Sequence, residues 1–166
     1  MTEPAAPGHA QTPQRLPTPP TAPHRTEENS MPFVRIDALR ADAERLDALG
    51  RAVHDALIET IQIPPEDRFQ VLTSHDGTNS TLRYGNYFGI QRDDGIVYVA
   101  ITLRAGRSSD QKQALYRRIA ELAEEYAGTE PRNVFVTLTE NASPDWSLGN
   151  GVAQYADADG PSGAAG

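Results

Sequence analysis

The chain has no cysteine, which excludes a disulfide framework, thiolate chemistry and Cys-ligated zinc and fits a reducing compartment. It also lacks any apolar run approaching the ~20 residues that span a bilayer, and its first residues lack the apolar core of a secretory signal. A soluble, cytoplasmic protein without a membrane partner is expected. Positive charge is in deficit: 15 Lys and Arg against 23 Asp and Glu give a net charge of −8. Nucleic acid and anionic surfaces reward the opposite balance, so no nucleic-acid partner is expected, although a local basic pocket stays open. Histidines and carboxylates show no metal-ligand spacing. No cofactor is expected.

What is present is unevenly spread. Residues 1–30 hold more than half of the 13 prolines and almost no large apolar side chains, too little burial to offset the entropy of ordering. Together with Met31 they are expected to form a disordered extension, 1–31. Residues 157–166, rich in Gly, Ala and Asp, are expected to be a disordered tail. Residues 32–156 remain as one domain of ordinary size.

Inside it, PFVRIDA alternates as a strand does, and Leu46, Leu49, Val53, Leu57 and Ile61 recur at helical spacing until the prolines of IPPEDR stop the helix. FQVLTSH is a second strand. A polar loop with a short apolar segment at NYFGI leads to GIVYVAITL, a strong strand behind an Asp-Gly turn. Ser108 and Gln111 suit a capping box, Leu115, Ile119, Leu122 and Tyr126 mark the inner stripe of a second helix, and NVFVTLTE closes the series. The series is one unit used twice. Phe69 aligns with Phe135, Leu49 with Leu115 and Val53 with Ile119 at an offset of 66, and ALRA (38–41) falls on TLRA (102–105) at 64. The fold class expected is α/β (α+β in some schemes), with duplicated βαβ units forming a four-stranded sheet that carries two helices on one face. The other face is then bare, and a chain this short covers it by oligomerising.

MPFVRIDA, EDRFQVLTSH, RSSDQKQALYRRI and TENASPDWSLGNG together make residues 32–156 resemble the tautomerase superfamily, most closely its malonate semialdehyde decarboxylase-like group. The arginine pair in TLRAGRSSDQK is instead similar in spacing to that of cis-3-chloroacrylic acid dehalogenase. The resemblance implies a tautomerase/MIF-like fold, a homotrimer and cofactor-independent chemistry on a small carboxylate substrate. It implies an amino-terminal proline as catalyst, here Pro32, acting as base when neutral and as acid when cationic. Arg104 and Arg107 would hold the substrate carboxylate, since a guanidinium fork matches two carboxylate oxygens and stays charged; solvation, or pairing with Asp110, is the competing account. Asp67 matches the acidic partner of the decarboxylase group, or is a polar turn residue. Trp146, Leu148 and Tyr155 match an apolar wall around the pocket, with Leu148 standing where the group has an aromatic. Glu140 either pairs with a site arginine or lies at the surface. His54 is expected to be solvated on the first helix, and His75 to be structural at the end of the second strand or to approach the site. Keto-enol tautomerisation is the least demanding reaction; hydration or β-keto acid decarboxylation, as of malonate semialdehyde, is the alternative.

In the printed sequence the Pro32 nitrogen is acylated by Met31 and has no basic lone pair. Either the working chain starts at Met31, whose removal exposes the proline, or the domain is a non-catalytic trimeric binding module. Glu27 and Glu28 require GAA or GAG codons; that purine-rich message resembles a bacterial ribosome-binding sequence at suitable spacing from Met31, so residues 1–30 are read as an over-extended frame. Intact-mass measurement on protein from its native source is expected to give a chain beginning at Pro32. A mass that retains residues 1–31 refutes the reading.

Overall fold

In the computed structural model, residues 31–77 and 81–156 are described; apart from Met31, the expected extension and tail lie outside the described residues. The first half runs β1 (Phe33–Leu39), α1 (Ala43–Ile61), β2 (Phe69–His75), and the second runs β3 (Val97–Arg104), α2 (Ser109–Ala127), β4 (Val134–Asn141). Short 3-10 turns, Pro131–Asn133 and Ser143–Asp145, flank β4.

The duplication read from the sequence extends to the helix caps. Asp42 caps α1 by accepting from Arg45 N–H, while Ser108 and Gln111 form the reciprocal capping box of α2. Both helices are 19 residues long, and each ends on a left-handed residue, Gln62 or Gly128, with φ of 62°. The caps and helix limits of the two halves are all 66 residues apart.

Strand order is β2-β1-β3-β4. Within each half the strands are parallel, with Phe33 opposite Phe69 and Val97 opposite Val134. The halves meet where β1 and β3 run antiparallel, Phe33 facing Thr102. This arrangement has a pseudo-twofold axis between the two central strands. Val34, Ile36 and Ala38 of β1 and Val99, Ile101 and Leu103 of β3 point to one face, where they bury against Leu49, Val53, Leu57, Leu115, Ile119 and Leu122. That alternation is the period of two expected of a sheet covered on one side only. The helices lie side by side on it, joined at their exposed edge by Arg118 to Glu59 (2.5 Å) and Tyr126 Oη to Asp55 (3.0 Å). Phe33, Phe69, Val71 and Phe135 are exposed on the opposite face.

One expectation changes. His54 is 7% exposed rather than solvated, because the chain after α1 folds back over it and Nε2 meets the Pro65 carbonyl oxygen at 2.9 Å. NYFGI stays out of the core: Tyr87 and Ile90 close a tight turn through left-handed Phe88 (φ 50°) and Gly89 (φ 72°), with the Phe88 side chain 86% exposed.

Ile36, fully buried on a central strand between both helices, reports on this packing. Ile36→Ala is expected to lower the unfolding free energy by about 2–5 kcal/mol in urea melts. A change within error of zero would show that the two-helix layer is not the core.

Candidate active site

The topology brings four strand ends together. β1 and β2 begin, and β3 and β4 finish, at the same end of the sheet. Pro32 is buried there. It precedes Phe33, whose neighbours are Phe69 on one side and Thr102 on the other. The turn carrying Asp67 therefore enters β2 beside it, and Arg104 leaves β3 two residues past Thr102. Asp67 is half-buried, and its N–H donates to the Pro64 carbonyl at 3.0 Å.

Next to this end lies a cavity of about 340 Å³ lined by Ile61, Gln62, Arg104, Ala105, Gly106, Arg107 and Gln111. Its walls are the last turn of α1, the β3–α2 connection and the first turn of α2. Both arginines expected from the sequence line it. Arg104 also lies over the Tyr155 ring, its guanidinium carbon 4.9 Å from the ring centre, so the aromatic face holds the cation at the cavity edge. An anion entering here meets two guanidiniums and the positive end of α2.

The connection holding the arginines has defined backbone partners. Ala105 N–H donates to Asn141 O (2.8 Å) and Ser108 N–H to Gln111 Oε1 (3.0 Å). Glu140 receives Lys112 Nζ at 2.9 Å. The Lys112 hydrogen bond and charge, with a smaller part from the nearby backbone amides of Arg107 and Gly106, hold the Glu140 pKa below the usual carboxylate value against the opposing effect of burial. Glu140 is thus exposed, as one of the two expectations had it, and its side-chain partner is a lysine in place of a site arginine.

The loop after β4 is anchored to the same end. Trp146, half-buried, donates from Nε1 to Asn141 Oδ1 at 2.6 Å, and Asn141 is the register partner of Arg104. Leu148 is exposed at 42%, with its N–H bonded to Gln154 Oε1. Of the three wall residues, Tyr155 touches Arg104, Trp146 braces the end of β4, and Leu148 faces solvent. His75 belongs to the other end of the sheet, where Nε2 meets Asp37 at 2.7 Å and Nδ1 meets Thr81 at 3.2 Å; it is structural and does not approach the site.

Gln62 and Lys112 were not singled out from the sequence, and Gln111 only as part of the capping box of α2. Gln62 left a signal in the duplication: its counterpart is Gly128, and both are left-handed. A side chain kept where the other copy uses glycine accepts a backbone cost of about 1 kcal/mol, and here it lines the cavity.

Comparison with known proteins agrees with this architecture. Two models described as tautomerase enzyme match residues 67–149 and 32–91. The chain is 38% identical over 126 residues to the probable tautomerase YusQ of Bacillus subtilis (strain 168), spanning 75% of this chain and 98% of that one. It is likewise 38% identical to FG41 malonate semialdehyde decarboxylase, solved with the inhibitor 3-bromopropiolate, at a TM-score of 0.68 over 76% of this chain and 96% of the other. A fused 4-OT symmetric trimer, 20% identical, shares the fold at a TM-score of 0.61, over 75% and 98% of the two chains. Duplicated βαβ halves, a site at the end where β1 begins, and matches running from Pro32 into the loop after β4 have one explanation: the chain belongs to the tautomerase family, in its malonate semialdehyde decarboxylase-like group.

Proposed function

We propose that the protein, in the form beginning at Pro32, is a cofactor-independent enzyme that uses the proline nitrogen on a small keto or unsaturated carboxylate, with keto-enol tautomerisation as its reaction. The observation that carries this is the cavity lined by Arg104 and Arg107, opening at the sheet end where Pro32 enters β1. The guanidiniums hold the substrate carboxylate. This fixes the adjoining enol next to the amine and neutralises charge that builds on the substrate oxygen. Neutral Pro32 nitrogen takes the enol hydroxyl proton and returns it to the adjacent carbon, so the amine ends as it began. Asp67, at the turn into β2, orients a water or tunes the amine by its charge. Of the expected apolar wall, Tyr155 supplies an aromatic face against Arg104 at the edge of the pocket.

Decarboxylation of a β-keto acid is the second reading. It is favoured by the 38% identity to FG41 malonate semialdehyde decarboxylase. There the cationic amine polarises the carbonyl, the bond to the carboxylate carbon breaks to give carbon dioxide and an enol, and a proton then reaches carbon.

The working assembly is proposed to be a homotrimer. Phe33, Phe69, Val71 and Phe135 leave apolar surface on the helix-free face, and the fused 4-OT protein of the same fold is a symmetric trimer. Cytoplasmic placement follows the same reading: no helix among the described residues is long and apolar enough to cross a membrane.

Phenylenolpyruvate separates the readings. The Pro32-initiated form is expected to ketonise it, and the 166-residue chain to be inactive because its nitrogen is an amide; equal rates in both remove the proline from the mechanism and favour a binding module. In the active form, Arg107→Ala should lower kcat/KM for acid substrates on the order of tenfold or more, and an unchanged value contradicts its role. Light scattering should return three times the chain mass. A monomer at micromolar concentration overturns the trimer.

A further inference from the structure

We propose that Gln62 recognises the 2-oxygen of an acid held in the cavity, and so selects keto and enol acids over their saturated counterparts. The duplication isolates it. Gly128 ends α2 at the same φ of 62°, and a Cβ there would meet nothing within 4 Å, so glycine holds that place for its backbone freedom alone. Gln62 ends α1 against the same preference. Its backbone is fixed from both sides: Ile61 before it and Ile63 after it are 5% and 3% exposed, and the chain beyond is pinned where the Pro65 carbonyl oxygen meets His54 Nε2 at 2.9 Å. Relaxing the φ of Gln62 would bring an isoleucine out of the core, so the strained residue keeps its place on the cavity wall.

The polar side chains lining the cavity are those of Arg104, Arg107, Gln111 and Gln62. Guanidiniums only donate, and the Gln111 oxygen is taken by the Ser108 N–H at 3.0 Å in the capping box. Gln62 commits its backbone N–H to Ile58 O at 3.1 Å, and among the described residues its side-chain amide meets no partner. Of the lining side chains, Gln62 alone therefore offers a donor together with an uncommitted acceptor. A keto oxygen only accepts, whereas an enol hydroxyl also donates. A primary amide serves both, presenting NH2 to the first and its carbonyl to the second. The ligand is then divided between two elements: the arginines of the β3–α2 connection take the carboxylate, and Gln62 at the end of α1 takes the neighbouring oxygen.

This role rests on the cavity being a carboxylate site, and a pair of acids tells the two apart. Phenylpyruvate and 3-phenylpropanoate share the ring and the ionised carboxylate and differ in the 2-oxygen. Affinities are measured by NMR titration of the 166-residue chain, whose acylated Pro32 leaves binding free of turnover. The parent should prefer phenylpyruvate by about fivefold or more, the worth of one hydrogen bond. Gln62→Gly and Gln62→Met should remove that preference while keeping the affinity for 3-phenylpropanoate within about twofold of the parent. Thermal melts give the opposite sign: Gln62→Gly should raise the melting temperature by about 2–4 °C, because the residue is kept for a ligand at a cost to the fold. A preference retained in both variants, or an equal loss of affinity for both acids, overturns the proposal, as does a lower melting temperature for Gln62→Gly. A parent that binds both acids equally removes the role of Gln62 and leaves the carboxylate site standing; a parent that binds neither removes the site itself, and the proposal with it.

Discussion

The position of β1 between a parallel and an antiparallel neighbour is the constraint from which the rest follows. A strand paired on both edges cannot shift on one side without breaking the other, and a slip of one residue would turn Val34, Ile36 and Ala38 out of the core and Phe33, Arg35 and Asp37 into it. Register and burial therefore enforce each other. They also fix the start of the strand: Pro32 is buried, with Phe33 held between Phe69 and Thr102. A nitrogen at the end of a central strand has a defined place that a frayed terminus lacks. The same hydrophobic layer that stabilises the fold thus fixes Pro32 at the sheet end where Arg104 leaves β3.

Duplication makes a second such end, and the two have diverged in chemistry. At the equivalent end, β3 is entered through Ile96, an internal residue whose N–H donates to Asp93 O at 3.1 Å. Arg40, the counterpart of Arg104 in ALRA and TLRA, has a left-handed backbone and is ion-paired with Asp94, which also accepts from Tyr84 Oη. Arg104 lies over the Tyr155 ring and lines a cavity, two contacts that Arg40 does not share. Glycine against glutamine at the two helix ends follows the same division, since Gly128 only terminates α2 whereas Gln62 terminates α1 and lines the cavity.

Periodicity made the scaffold legible. Both helices and all four strands announce themselves through buried residues at spacings of 3.6 and 2, and the offset of 66 in the sequence is the offset of the caps in space. The two halves together predicted one four-stranded sheet with both helices on one face; its order, β2-β1-β3-β4, came from the structure. The arginine pair was legible because strand-to-helix connections sit at sheet ends in any such unit, so Arg104 and Arg107 had few places to go. What stayed hidden depended on chain segments returning from elsewhere. His54 is polar and off the apolar stripe, and its burial comes from the Pro64-Pro65 segment crossing over it. Glu140 and Lys112 are charged residues 28 apart, and nothing local says that the end of β4 and the first turn of α2 bring them together. Leu148 matched a family position by resemblance of its segment, yet it is exposed in a loop whose backbone is bonded to Gln154.

The charge of the molecule and the charge of its site have opposite signs, and this bears on which ligands the cavity favours. At a net −8 the protein does not draw anions from a distance, and in physiological salt fields from exposed charges fade over roughly 8 Å. Attraction must then come from groups at the cavity wall. Arg104, Arg107 and the first turn of α2 supply it, while Lys112 neutralises the Glu140 carboxylate nearby. The cavity is accordingly a local exception to the sign of the whole molecule, and it acts on an anion through direct contact with its wall and not through a long-range field.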